Sequence, residues 1–223
     1  MATHAQDSVA IVLLSGGQDS ATCLAMASTQ HQQCHCVSFD YGQRHRIELS
    51  ASRVLADLAG ASHECVDVSF MAGLSNASLV NDHQAIATSE DGLPNTFVPG
   101  RNALFLTVAA MVAHQRSATV IYTGVCQTDY SGYPDCRLDF IQSQTNTLNL
   151  AMATNVTIET PLMHITKAQT VLAMQALGKL DWYAHTHTCY EGAQPACGVC
   201  PACQLRLKGF NEAGIDDPLP YAI

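Results

Sequence analysis

The sequence predicts an α/β fold: a Rossmann-like, doubly wound parallel sheet of about five strands, with a small C-terminal zinc-binding module. Three observations predict it. Short apolar runs alternate with segments of helical period from Val9 to Leu177, a pattern that means parallel strands joined by crossover helices. Polar clusters follow the strand ends at Ser15–Ser20, Asp40–His45 and Gln127–Asp135, where open parallel sheets bind their ligands. Four cysteines gather near the C-terminus at spacings suited to one metal ion. Residues 1–180 are read as the α/β domain and residues 181–223 as the cysteine module packed on it.

Val9–Leu14 is an unbroken apolar segment, hence a strand buried on both faces. Cys23, Leu24, Met26 and Ala27 then recur at helical spacing. Cys34–Asp40 is the second strand. The helix Ile47–Leu58 follows, with Leu49, Val54, Leu55 and Leu58 on one face and Gly60 as its stop. Ser62–Val68 alternates enough to be the third strand. From Met71 to Pro99 the pattern dissolves into Asn, Ser, Asp, Gly and Pro, and so long an irregular segment reads as a lid or an insertion. It delivers Val98-Pro99-Gly100-Arg101-Asn102, then an apolar helix Ala103–His114. Thr119–Val125 is the fourth strand, Cys136–Ala151 a helix, Val156–Glu159 a short fifth strand, and Lys167–Leu177 a helix stopped by Gly178.

The joint between the first strand and first helix carries Ser15-Gly16-Gly17-Gln18-Asp19-Ser20. Two glycines let the backbone turn tightly and approach a ligand without Cβ interference. The first amides of the helix have no intrahelical partner and present the positive end of the dipole. Ser15 and Ser20 add hydroxyl donors, so the stretch is a phosphate cradle. A tight turn capped by Asp19 or Ser20 is the plainer alternative. No lysine follows the glycines, so this is not a Walker loop.

Composition narrows the function. A length of 223 residues and 48% apolar content support a sizeable core. The net charge of −9 argues against a protein that grips nucleic acid, which needs a basic face. No apolar run approaches a membrane span, and Met1–Asp7 lacks the basic-then-apolar pattern of a signal peptide. A cytoplasmic location is expected, with no membrane association and no stable nucleic-acid partner; a homodimer stays open. Of the ten cysteines, Cys23, Cys34, Cys36, Cys65, Cys126 and Cys136 are scattered where Cys serves as a small hydrophobe. Cys189, Cys197, Cys200 and Cys203 are different. Thiolates two residues apart on a tight knuckle converge on a tetrahedral metal, and Gly198 and Pro201 supply the turn. One structural Zn²⁺ per chain is expected, an iron–sulfur cluster being the alternative; His185 and His187 are nearby substitute ligands.

The string Ser15–Ser20 resembles the pyrophosphate loop of the N-type ATP pyrophosphatases. Taken with Phe39-Asp40-Tyr41-Gly42-Gln43-Arg44-His45, Val98–Asn102, Asp129–Arg137, Glu159-Thr160-Pro161-Leu162 and the tail from Cys189 to Pro218, the chain resembles the 7-cyano-7-deazaguanine synthase family over nearly its whole length. Only Met71–Asn95 carries no motif of that family. The resemblance implies that 7-carboxy-7-deazaguanine, ammonia and ATP yield the nitrile through an adenylated acid and an adenylated amide. ATP with Mg²⁺ would be the co-substrate. Leu14, Ser15, Gly16, Gly17, Gln18, Asp19, Ser20, Ala21, Thr22, Cys23 and Leu24 would hold it. Ser20, Asp19, Lys167 and Arg101 are the candidate catalytic residues, the two cations neutralising departing pyrophosphate. Tyr133, Asp135, Arg137 and Asp129 are candidates for the base. Asp135 is the best placed of the carboxylates to take a donor–donor edge, with capping of the next helix as its alternative role. Either His45 or Asp129 could deprotonate ammonium. Two other readings compete: a tRNA thiolation enzyme, disfavoured by the acidic balance, and a zinc-ribbon interaction module with a degenerate nucleotide fold.

Overall fold

The computed structural model describes residues 8–44, 46–81, 93–127 and 132–223. Five parallel strands, β1 (Val9–Leu13), β2 (Gln33–Asp40), β3 (Ser62–Asp67), β4 (Val120–Tyr122) and β5 (Thr157–Glu159), lie in the order β3-β2-β1-β4-β5. The chain therefore builds outward from β1 in one direction, then returns and builds in the other. The reversal leaves a crevice beyond the carboxyl ends of β1 and β4.

Alternation along β1 explains its unbroken apolar sequence. Ile11 faces α3 (Arg101–Gln115) and α4 (Leu138–Met152), packing with Leu106, Ala109, Ile121 and Leu148. Ala10 and Val12 face the other way. They join the layer of α1 (Gln18–Gln30), α2 (Ile47–Leu58), α5 (Lys167–Ala176) and α6 (Pro201–Ala213) through Leu24, Leu55, Val171 and Phe210. A central parallel strand buried on both faces has no polar side to show. Among the described residues no helix is long and apolar enough to cross a membrane.

Most elements fall where their patterns put them, and α2 coincides with its predicted span. The exceptions have local causes. Strand β4 stops at Tyr122 rather than Val125. Beyond it Gly124 lies against α1, where a Cβ would come 3.1 Å from the Cβ of Asp19. Helix α3 begins two residues early, at Arg101, after the left-handed Gly100. Pro134–Cys136 forms a separate 3-10 turn, and α4 begins only at Leu138. Helix α6 lies where the sequence showed only a metal knuckle. Its period is broken by Gly209, and that glycine has a packing reason: a Cβ would come within 2.5 Å of the Lys167 Cβ. Two more 3-10 turns, Ser69–Leu74 and Leu180–His185, were also unpredicted. In the expected lid, residues 82–92 lie outside the described residues, while Ala77, Leu79 and Val98 are buried in the core.

Arg206 on α6 ties the C-terminal segment to the domain. Its guanidinium is 1% exposed and donates five hydrogen bonds: two to the Asp217 carboxylate at 2.7 and 2.8 Å, and others to Thr186, Thr188 and the Tyr183 carbonyl. Asp217 also accepts from the Tyr221 hydroxyl and the Leu219 amide. Satisfying so many polar atoms offsets the desolvation of both charges. Removing one partner would not be offset. Asp217→Asn is expected to destabilise the chain by about 3–5 kcal/mol in denaturant unfolding, because Arg206 keeps its charge in the dark. A loss under about 1 kcal/mol would contradict this role.

Candidate active site

The turn between β1 and α1 is held on three sides. Gly16 has φ +91°, and a side chain there would overlap the carbonyl oxygen of Glu48 on α2. The Gly16 carbonyl accepts the His187 amide at 2.8 Å. Gly124 closes the third side against Asp19 and Ser20. Within the turn the Ser20 hydroxyl donates to the Gly17 carbonyl at 3.0 Å, and the Ser15 and Ser20 hydroxyl oxygens lie 3.1 Å apart. Gly17 caps α1 with no side-chain bond, so the first-turn amides remain available to a ligand. The alternative of a turn capped by Asp19 or Ser20 does not occur.

Leu14, Ser15, Gly17, Gln18, Asp19 and Ser20 line a cavity of about 350 Å³. Gly16 faces α2 instead. Ala21, Thr22, Cys23 and Leu24 are fully buried around α1, and the Thr22 hydroxyl bonds the Gln18 carbonyl and the Tyr183 hydroxyl. Lys167 opens α5 and reaches across to Asp19, with Nζ donating to Oδ1 and Oδ2 at 2.7 and 2.6 Å. Thr166 and Gln169 form a reciprocal capping box that fixes the start of α5. The buried Lys167 is thus a positioned cation, not a surface lysine.

Arg101 lines the same cavity. Its guanidinium sits 5.6 Å from the Tyr41 ring centroid and 5.8 Å from that of Tyr133. Burial opposes its charge, but Tyr41, Tyr133 and Asp135 more than compensate. Around it lie Phe39 and Phe105, stacked with centroids 4.1 Å apart, and Tyr190. The cavity therefore has two ends. One is polar and built from the turn, Asp19 and Lys167; the other is aromatic and holds Arg101.

Tyr133 lines the aromatic end, and its hydroxyl bonds that of Thr96 at 2.5 Å. Asp135 and Arg137 do not line the cavity. Asp135 lies behind it: Oδ2 accepts the Asn102 amide at 3.2 Å, while Oδ1 is buried with no partner among the described residues. Burial raises its carboxyl above the usual range. Asp135 therefore serves the start of α3 rather than that of α4, whose N-cap is the exposed Arg137. Asp129 and His45 lie outside the described residues.

Sequence reasoning missed Glu48. It lines the cavity and accepts from Gln43 at 3.0 Å. The available signal was its place in the first turn of α2, directly after the Asp40–His45 cluster.

The sulfur atoms of Cys189, Cys197, Cys200 and Cys203 all lie within 4.8 Å of one another. Four convergent thiols of this kind fit a tetrahedral metal. The Cys200 amide donates to the Cys197 sulfur at 3.3 Å and the Cys197 amide to the Cys189 sulfur. Burial acts to raise the Cys197 thiol, but amide and thiol donors outweigh it and hold it below the usual range. The cluster can hold a metal ion. His187 is engaged with the Gly16 carbonyl through its backbone, and neither His185 nor His187 belongs to the four-thiol group.

Fold and site together define a doubly wound α/β enzyme with a Ser-Gly-Gly-x-Asp-Ser turn and a four-cysteine cluster. The same fold is found in the NMN synthetase from Francisella tularensis, at TM-score 0.53 and 14% identity over 94% of this chain and 78% of that one. The family described as queuosine biosynthesis protein QueC matches residues 9–214, and the chain belongs to it. The 7-cyano-7-deazaguanine synthase of Laribacter hongkongensis is 48% identical over 94% of this chain and 93% of its own length. That of Chromobacterium violaceum is 48% identical over 97% and 94%.

The four-thiol cluster generates a test. Because metal binding to such sites doubles as folding energy, Cys200→Ser is expected to give metal-free, aggregation-prone protein. Metal analysis of the unaltered chain should return one ion per chain, and fully stable, soluble Cys200→Ser protein would refute the coupling.

Proposed function

We propose that this chain converts 7-carboxy-7-deazaguanine to 7-cyano-7-deazaguanine, consuming ammonia and ATP and releasing AMP and pyrophosphate. The observation that carries the reading is the two-ended cavity at the sheet's switch point, in a chain of this family. A carboxylate is a poor electrophile because oxide is a poor leaving group. Transfer of AMP from ATP to the carboxylate oxygen, with pyrophosphate departing, supplies a good one. Ammonia, deprotonated from ammonium, displaces AMP and forms the amide. A second ATP adenylates the amide oxygen, and loss of AMP with the nitrogen's protons leaves the nitrile.

In this reading the polar end receives the phosphates. The free first-turn amides of α1 and the Ser15 and Ser20 hydroxyls donate to them. Lys167 supplies positive charge as pyrophosphate departs, and Asp19 orients Lys167 and would offer a carboxylate oxygen to the Mg²⁺ that accompanies ATP. Such preorganised donors matter most where charge develops in the transition state. The aromatic end receives the flat base against Tyr41, Phe105 and Tyr133. Arg101 there is a cation within reach of the substrate's own carboxylate as well as of phosphate. Asp135 supports this end from behind, through the Asn102 amide at the start of α3. Gln18 and Leu14 complete the ATP cradle, with Ala21, Thr22, Cys23 and Leu24 anchoring it in the buried layer around α1.

Zinc is the metal we assign to the four thiolates, as a closed structural site holding residues 181–223 to the α/β domain of residues 1–180. It takes no part in a chemical step. Ten reduced thiols and a need for ATP suit the cytoplasm. The acidic balance argues for small-molecule substrates without stable nucleic-acid binding, and a homodimer is compatible with the reading.

Incubation with ATP, ammonium and 7-carboxy-7-deazaguanine, followed by mass analysis, should give the nitrile, AMP and pyrophosphate. Formation of ADP and orthophosphate would overturn the assignment. Ser20→Ala should lower AMP formation by about 10²–10³-fold, the scale set by loss of one charge-stabilising donor, while stability falls by no more than about 0.5–1.5 kcal/mol for the lost bond to the Gly17 carbonyl. AMP release by Ser20→Ala at the unaltered rate would remove the turn from the chemistry.

A further inference from the structure

We propose that Glu48 reads the heterocycle of the substrate, its carboxylate accepting from the ring N1–H and the exocyclic amine of a guanine-like edge. The inference deepens the function proposed above and rests on it.

Glu48 is held for such a task by Gln43. The Gln43 side chain is buried, and the backbone dictates its orientation: Oε1 accepts the Tyr41 amide at 2.8 Å, and Nε2 donates to the Phe39 carbonyl at 3.1 Å. The remaining Nε2 hydrogen points to Glu48 Oε1 at 3.0 Å. Glu48 must therefore accept there, and its position is set by a clamped amide rather than by solvent. An ionised carboxylate has about four lone-pair sites, of which the Gln43 bond uses one. The rest are available at a cavity wall shared with Tyr41, Arg101 and Phe105.

The surroundings favour a flat partner with adjacent donors. Aromatic faces supply stacking surface at this end, and a carboxylate pairs with two neighbouring N–H groups in a charge-assisted fork. Asp135, the candidate offered by sequence pattern, spends Oδ2 on the Asn102 amide and does not reach the cavity. Lys167 engages Asp19 at the other end, so that carboxylate is committed as well. Among the described residues, Glu48 is the carboxylate that lines this end of the cavity.

Its ionisation supports the role. Burial pushes the Glu48 carboxyl up to about 7, against the Gln43 hydrogen bond and the Arg101 charge, which lower it. The groups facing it are Arg101 from α3, and Tyr41 and Gln43 from the turn after β2. Below about pH 7 the carboxyl carries a proton and loses an acceptor site. Affinity for the base should therefore fall as the pH drops through this range.

The test is a binding cycle by calorimetry, using 7-carboxy-7-deazaguanine and its analogue lacking the exocyclic amine. The unaltered chain should bind the analogue about 10–100-fold more weakly, the scale of one hydrogen bond to a charged group. In Glu48→Gln the amide oxygen stays on Gln43, which turns its NH₂ toward the base, donor against donor. That variant should bind the parent base at least about 10-fold more weakly and discriminate between the two compounds by less than about 3-fold. ATP affinity should be unchanged, which also reports an intact fold. Should Glu48→Gln not fold, loss of discrimination by the unaltered chain between pH 8 and pH 6 gives the same answer. Retained discrimination in either experiment would overturn the role of Glu48 alone. Failure of the unaltered chain to bind either compound would overturn the proposed function, and this inference with it.

Discussion

The close approach at Gly16 is the constraint on which the remaining architecture depends. A residue with φ +91°, whose missing side chain makes room for the Glu48 carbonyl, lets the β1–α1 turn lie flat against α2. The same turn takes the His187 amide on its outer side and Gly124 on its inner side. A strand end, a helix start and a C-terminal segment are thereby brought to one point. A Cβ at either glycine would push them apart, and the turn would open.

From that point the electrostatics divide along the cavity. At the polar end, Lys167 and Asp19 neutralise one another at 2.6–2.7 Å, so a buried cation is stored beside the free amides of α1 without an unpaired charge. At the aromatic end, Arg101 lies between the faces of Tyr41 and Tyr133, while Gln43 holds Glu48 by one oxygen. Both carboxylates are kept in place by donors from outside their own helices. Each end therefore depends on tertiary contacts: Lys167 on the capping box of α5 and the bare Gly209 of α6, and Glu48 on the turn after β2.

The C-terminal segment is bound to the domain by two different means. The four sulfurs draw residues 189–203 into a knuckle. One turn of α6 later, Arg206 fastens the tail through Asp217 and the chain at 183–188 through three oxygen acceptors. Since the His187 amide bonds the Gly16 carbonyl, this buried network connects the cysteine knuckle to the β1–α1 turn in a continuous path. Cation–π contacts of Arg206 with Tyr183 and Phe210 join it to the hydrophobic layer beneath.

Local chemistry was enough to announce much of this in the sequence. An apolar run such as Val9–Leu13 has only one economical place in a soluble α/β protein, the centre of a parallel sheet. The Ser15–Ser20 string and the x2 cysteine spacings specify backbone shapes within a few residues, so the tight β1–α1 turn and the thiol cluster could be read directly. Helix α6 could not, because Pro201 and Gly209 obscure its period, and the reason for Gly209 is a neighbour forty-two positions away, Lys167. Nor could the parts played by Asp135 and Glu48 be told apart, since both are carboxylates beside polar clusters. Which of them faces the cavity is decided by their partners: Asn102 for one, and for the other Gln43, five residues before it, with Arg101 on α3. Sequence by itself determined the elements and the motifs whose geometry is local. Tertiary structure alone decided which charges meet, because burial and pairing arise between segments that only packing brings together.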